Sequence, residues 1–147
     1  MQKFIGIDGL GASGKTELAK KIAAKLGGAT IIHTDDFYKP IDQRTVGLVS
    51  EIISPDFDWD RLEREVLQKK HVGVVIVVGV YALQKRFRKY YDFTIWVDAP
   101  QKIRIERMIK REGEAVAREW QEKWLPREER YLIIERPDKW ASVILTS

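Results

Sequence analysis

Residues 9–16 read Gly-Leu-Gly-Ala-Ser-Gly-Lys-Thr, which fits the pattern G-x-x-x-x-G-K-[ST]. Its context constrains the fold as much as its letters. An apolar run, Phe4 to Asp8, precedes it and reads as a buried strand. After it, Leu18, Ile22 and Leu26 recur at every fourth position with Ala19 and Ala23 beside them, and Gly27-Gly28 ends the pattern. That is an amphipathic helix with a glycine stop. A strand, a glycine-rich turn and a helix in this order form a cradle for phosphate oxygens. Without a Cβ, the backbone turns so that its N–H groups point inward, and the helix N-terminus adds its own donors. Gly9, Gly11, Ala12, Ser13 and Gly14 build the ATP-binding loop, Lys15 reaches the β- and γ-phosphates, and the Thr16 hydroxyl ligates Mg²⁺.

Further along, apolar patterns alternate between the two periods. Thr30 to Thr34 reads as a second strand and 39–55 as loop. Asp60 and Glu63 have capping-box spacing ahead of a helix with Leu62 and Val66 inward. Val74 to Val80, rich in β-branched residues, reads as a central strand buried on both faces. Ala82 to Tyr90 reads as helix, Phe93 to Asp98 as strand and Gln101 to Arg111 as helix. Glu114 to Glu135 reads as largely helical, divided or kinked by Pro126. Ala141 to Leu145 is a last strand. Such alternation predicts an α/β fold around a parallel sheet. The 147 residues fit one domain, with a small lid around 101–118. The longest apolar run, Val72 to Leu83, is too short to span a bilayer, and the N-terminus turns glycine-rich too early for a signal peptide. A soluble, cytoplasmic protein is the expectation. With no cysteine, disulfides, thiolate metal sites and a cysteine nucleophile are excluded.

A phosphate loop needs an acceptor side before it implies transfer chemistry. Thr34-Asp35-Asp36-Phe37-Tyr38 puts two carboxylates at the end of the second strand, where ligands sit in open parallel sheets. A carboxylate near the γ-phosphate can take the acceptor hydroxyl's proton. Asp35 is the first choice and Asp36 the second; Phe37 and Tyr38 could wall the acceptor pocket. Arg104, Arg107 and Arg111 lie along one side of a helix, as a lid over a phosphoryl group requires. A solvated face paired with Glu106 and Glu112 explains each arginine about equally well. Lys15, Asp35 and Arg107 form the expected catalytic set. Lys85-Arg86-Phe87-Arg88-Lys89 reads as the wet face of a helix rather than a nucleic-acid contact. The net charge of +4 is a mild bias and does not imply nucleic acid. Neither His33 nor His71 is assigned to a metal. Core packing is the first reading of Trp120, Trp124 and Tyr131.

Together these segments resemble the uridine kinase-like group of P-loop kinases, a set that includes nicotinamide riboside kinases. The resemblance rests on Ile7-Asp8-Gly9 leading to Gly14-Lys15-Thr16, on Thr34 to Tyr38, and on Phe57-Asp58-Trp59-Asp60-Arg61-Leu62. Gly79 to Leu83, Tyr91-Asp92, Trp96 to Pro100, Arg104 to Gly113 and Trp120 to Glu129 extend it over nearly the whole chain. It implies a three-layer P-loop kinase fold with a five-stranded parallel sheet, Asp35 as catalytic base, and Arg104, Arg107 and Arg111 in a lid. It also implies ATP, Mg²⁺ and a small hydroxyl-bearing acceptor, a nucleoside such as uridine or cytidine. Alternatives are a nucleotide-binding regulator with little transfer, or a kinase for another metabolite such as nicotinamide riboside. Two positions depart from the group: Val78 stands where relatives usually carry a glutamate, and about five residues connect Gln68 to Val74. Oligomeric state is not encoded in any of these patterns.

Overall fold

The structure, a computed structural model, describes residues 2–40 and 56–147. Residues 41–55, most of the stretch read as loop, lie outside the described residues. Five strands form one sheet: β1 (Gln2–Asp8), β2 (Thr30–His33), β3 (Gly73–Val78), β4 (Phe93–Asp98) and β5 (Val143–Thr146). Their order is β2-β3-β1-β4-β5, and every pairing is parallel. The parallel arrangement forces helical crossovers over both faces. These are α1 (Lys15–Lys25), α2 (Trp59–Leu62), α3 (Gln101–Glu112), α4 (Glu114–Glu119), α5 (Leu125–Glu135) and α6 (Pro137–Trp140).

β3 shows why its sequence is apolar without alternation. Val75 and Val77 enter a core with Phe4, Trp59, Leu62, Phe87 and Tyr131. Ile76 and Val78 enter another with Ile7, Ala19, Ile95 and Val97. Successive side chains point to opposite faces, so a strand covered on both sides has no polar position to offer. Leu18, Ile22 and Ala23 of α1 close the second core. A third cluster, Ala12, Met108, Ala117, Trp120 and Leu125, packs α3, α4 and α5 against the phosphate loop.

Several local expectations are corrected. The cap of α2 is Asp58, whose side chain accepts from the Arg61 backbone N–H; Asp60 instead pairs with Arg86 at 2.8 Å. The helix expected over 82–90 is reduced to a 3₁₀ turn at Lys85–Tyr90. Ahead of that turn the Leu83 N–H donates to Asp8 and the Gln84 N–H to the Tyr81 carbonyl. In that run Arg86 stays on the surface, paired with Asp60 and Glu63, and the half-buried Arg88 donates to the Leu83 and Glu135 carbonyls. Between α4 and α5 the chain widens into a π turn, Trp120–Trp124. Pro126 falls in the first turn of α5, where its missing N–H costs nothing. β2 stops at His33, and Thr34 opens a 3₁₀ turn through Phe37.

The phosphate loop is anchored through Asp8, which is fully buried at the end of β1. Its carboxylate accepts from the Gly9 N–H at 2.7 Å, the Leu83 N–H at 3.0 Å and the Tyr131 hydroxyl at 2.6 Å. Burial pushes its pKa up to about 6, against the lowering effect of those three donors and of Lys15. An acid whose folded value is raised favours folding most when protonated. Its contribution is complete below the ordinary value of 3.8 and is lost as pH rises through about 6. Tyr131→Phe removes one donor to the ionised carboxylate. It should cost about 1.5–3 kcal/mol at pH 8 and less at pH 4.5, where Asp8 is mostly protonated. Urea unfolding at the two pH values checks this; an equal loss at both would remove Asp8 ionisation from the account.

Candidate active site

The loop between β1 and α1 has two residues in the left-handed region, Ala12 at φ 62° and Gly14 at φ 99°. Gly14 is the N-cap of α1 and supplies no side-chain cap, so the first N–H groups of the helix are left for a ligand. Ser13 Oγ is buried with no partner. Space is tight on the inner side of the turn. A Cβ on Gly9 would lie 2.5 Å from the Val97 carbonyl oxygen, and one on Gly11 would lie 2.8 Å from Trp120 Nε1. The glycines are therefore needed for close packing as well as for conformation. Residues and backbone together fit a phosphate chain.

A cavity of about 530 Å³ opens over this loop. Gly11 to Thr16 form its floor, and Asp35, Tyr38 and His33 come from the end of β2. Phe57, Tyr81 and Trp124 form an aromatic wall. Tyr38 stacks on Phe57 at 4.0 Å, and Tyr81 meets Phe57 edge-on at 5.8 Å. Lys15 Nζ donates to the Leu10 carbonyl at 3.2 Å. Burial pulls its pKa below the ordinary lysine value, opposed by the attraction of Glu128, Asp8 and Asp35. Three carboxylates thus favour the charged form of the ammonium on the cavity floor. Thr16 and Asp35 are exposed cavity-lining oxygen donors suited to Mg²⁺. Asp8 is not available to a metal, since both its oxygens accept hydrogen bonds inside the fold. Val78 lines the same cavity from the core and offers no oxygen.

The expected site residues divide. Asp35 and Tyr38 face the cavity. Asp36 lies outside it, its carbonyl accepting from Arg61 at 2.6 Å, and Phe37 is turned into the core beneath the Arg61 guanidinium. Of the arginines on α3, Arg107 donates to the Ala12 carbonyl at 3.2 Å and Arg111 lines the cavity. Arg104 is buried away from it, donating to the Ala99 carbonyl at 3.1 Å with its plane near Trp120. Arg107 and Arg111 also border a second cavity of about 680 Å³ between α1 and the end of β5.

Several residues at the cavity lie in segments that carry the resemblance, but the sequence assigned them no role in the site. Glu128 looks like an ordinary helix-surface acid, yet it is buried and its carboxylate accepts from the Gly11 N–H at 2.6 Å and from Trp120 Nε1 at 3.0 Å. Burial raises its pKa against those donors and against Lys15 and Arg104. Trp120 and Trp124 pack in the third cluster, as expected for core residues, and also border the cavity. Tyr81, in the left-handed region at φ 75°, turns a buried, unpartnered hydroxyl toward this region.

The order of the five parallel strands and the loop after β1 define the class: this is the fold of the P-loop kinases. The chain is similar to cytidylate kinase of Pyrococcus horikoshii, 31% identical over 116 residues that cover 76% of this chain and 59% of that protein. It is similar to uridine kinase of Borrelia garinii, 26% identical over 76% of this chain and 68% of that protein. A 47-residue stretch is 45% identical to mouse nicotinamide riboside kinase 2. The chain thus spans about three fifths of the cytidylate kinase it matches. Among solved structures, a possible uridine kinase from Bacillus stearothermophilus superposes with a TM-score of 0.74 at 22% identity, over 98% of this chain and 88% of that one. No family model matches the chain.

Behind the aromatic wall, Gly79 has φ 145°, and a Cβ there would overlap the Thr34 hydroxyl. That hydroxyl is fully buried and donates to the Val80 carbonyl at 3.1 Å. Gly79→Ala should destabilise the fold by about 2–5 kcal/mol through strain and overpacking together. Gly73, at φ 80° with open space around it, provides the contrast: Gly73→Ala should cost only about 1 kcal/mol from strain. Thermal melts of both variants test the difference, and equal losses would refute the Thr34 clash.

Proposed function

We propose that this chain is a kinase that binds ATP with Mg²⁺ and transfers the γ-phosphoryl group to a hydroxyl of a small acceptor, a nucleoside of the uridine or cytidine kind. The observation that carries this reading is one shared cavity. Lys15 and Thr16 lie on its floor, Asp35 at its rim and five aromatic side chains, Tyr38, Phe57, Tyr81, Trp120 and Trp124, along its wall. A planar base suits walls of this kind, where ring faces and edges supply most of the contact. The names of the curated relatives, uridine kinase and cytidylate kinase, agree with it.

In this reading the N–H groups at the start of α1 hold the phosphate chain, and Lys15 leaves the Leu10 carbonyl to meet the β- and γ-oxygens. Thr16 would hold Mg²⁺, which when bound would supply neutralisation of the phosphate charge. Asp35 orients the acceptor hydroxyl and accepts its proton as the new O–P bond forms and the bond from the γ-phosphorus to the β–γ bridging oxygen breaks, with ADP as the leaving group. The second cavity, beside Arg107 and Arg111, takes the nucleotide base. Residues 101–118 act as a lid: Gly113, at φ 92°, joins α3 to α4 and gives the pair a hinge. A nucleotide-binding protein with little transfer is the second reading, favoured by the apolar Val78 where an acid would assist the metal.

Two measurements separate these readings. ATP·Mg²⁺ at a hundredfold excess over Kd should stabilise the wild type by about 2.7 kcal/mol, and Lys15→Ala should abolish the melting shift. An undiminished shift would remove Lys15 from the nucleotide site. Asp35→Ala should keep the shift but lower ADP release with pyrimidine nucleosides by about 10²–10⁴-fold. Equal rates with every acceptor would reject Asp35 as the base, and no turnover by wild type with any acceptor would favour the second reading.

A further inference from the structure

The phosphate cradle of this chain already contains an anion of its own. Glu128 enters it from α5. Its Oε1 accepts from the Gly11 N–H at 2.6 Å and its Oε2 from Trp120 Nε1 at 3.0 Å. The residue is 6% exposed and borders the cavity over the loop. Lys15 and Arg104 are the cations whose fields it feels, and the unpartnered Tyr81 hydroxyl lies in the same region. Neither cation forms an ion pair with it within 4.0 Å among the described residues: Lys15 bonds the Leu10 carbonyl and Arg104 the Ala99 carbonyl. The indole that fixes Oε2 also lies against Gly11, leaving no room for a Cβ there. The carboxylate is therefore held in place by two donors and shares the field of Lys15 with any phosphate that arrives.

A buried carboxylate so placed has an energetic consequence. Charges separated by a few ångströms inside a protein interact far more strongly than in water, because little solvent screens them. A phosphate tail that reaches Lys15 gains the ammonium but meets Glu128, and the repulsion grows with each added phosphoryl charge. We propose that Glu128 is a specificity-determining residue that sets how strongly the site distinguishes a triphosphate from a diphosphate, by competing with the terminal phosphate for Lys15 and the Gly11 amide. In the wild type it weakens the bound triphosphate more than the diphosphate. The site is thereby kept from holding the donor so tightly that binding absorbs the free energy needed in the transition state. The inference rests on the reading of the loop as a nucleotide site.

Dissociation constants for ATP, ADP and AMP with wild type and Glu128→Gln, all with Mg²⁺, test it. Glutamine keeps the size and an oxygen acceptor for the Gly11 N–H but removes the charge and, by setting an NH₂ against Trp120 Nε1, the indole hydrogen bond. ATP should bind at least about tenfold more tightly to the variant, ADP less than ATP by comparison, and AMP unchanged. An ATP:ADP preference equal to the wild type's in a variant with native circular dichroism would overturn the proposal. Trp120→Phe separates charge from scaffolding: it removes the indole donor and leaves the carboxylate. If the loop merely needs a strut, it should mimic Glu128→Gln; if charge decides, its ATP:ADP preference should not shift in that direction. Should Glu128→Gln fail to fold, the wild type still decides. The Gly11 amide resonance should move further on saturation with ATP than with ADP, and identical positions would overturn the proposal. Loss of all Lys15-dependent nucleotide binding in wild type would instead refute the nucleotide-site reading, and this inference with it.

Discussion

The arrangement depends on a single buried carboxylate. Asp8 sits where β1 becomes the phosphate loop and collects three hydrogen bonds, from the loop itself, from the turn after β3 and from α5. An ionised group in such a place is costly unless every lone pair is used. That cost makes the contacts stringent: the three elements must meet at one point for the charge to be tolerated. The loop is thus held at a set height above the sheet, and the turn carrying Tyr81 is fastened at the same point.

Electrostatics at the mouth of the sheet follow from that anchoring. Lys15 faces Glu128, Asp8 and Asp35, each delivered by a different element. Lysine, unlike arginine, shifts readily when desolvated, and the three acids oppose the lowering that burial imposes on Lys15. The arginines of α3 are graded by depth. Arg104 is committed to the Ala99 carbonyl, Arg107 to the loop at Ala12, and Arg111 lies farthest out, pairing with Glu112 at 3.4 Å. Only the outer part of that helix face is placed to respond to a ligand. The aromatic wall on the other side is built in a chain of ring contacts from Tyr38 through Phe57 to Trp59 and Tyr81. It lines that side of the cavity with ring faces and edges.

Much of this was legible from residue order, for identifiable reasons. The loop at 9–16 carries its conformation in its glycines and its chemistry in Lys15 and Thr16. The strand at 73–78 announces itself by β-branched residues without alternation, and Asp35 by its position at a strand end. Other features left no local trace. Arg104, Arg107 and Arg111 share a face, and their separate fates depend on what lies opposite. Asp58 and Asp60 are equally good caps as letters; Arg86, twenty-six residues away from Asp60, decides between them. Of the helix expected over 82–90 only a 3₁₀ turn at Lys85–Tyr90 forms, and the bond from the Leu83 N–H to Asp8, far back in the chain, has no local trace either.

The local sequence determined the elements, the parallel α/β architecture and the phosphate loop, because hydrophobic period, glycine conformation and capping act over a few neighbouring residues. Tertiary structure alone decided which charges are buried and which acid shares the cradle with Lys15. Glu128 lies 117 positions from Gly11, and in a helix it has the appearance of any solvated glutamate. Burial and field are properties of whatever packs around a group, so they come into existence only when distant segments are brought together.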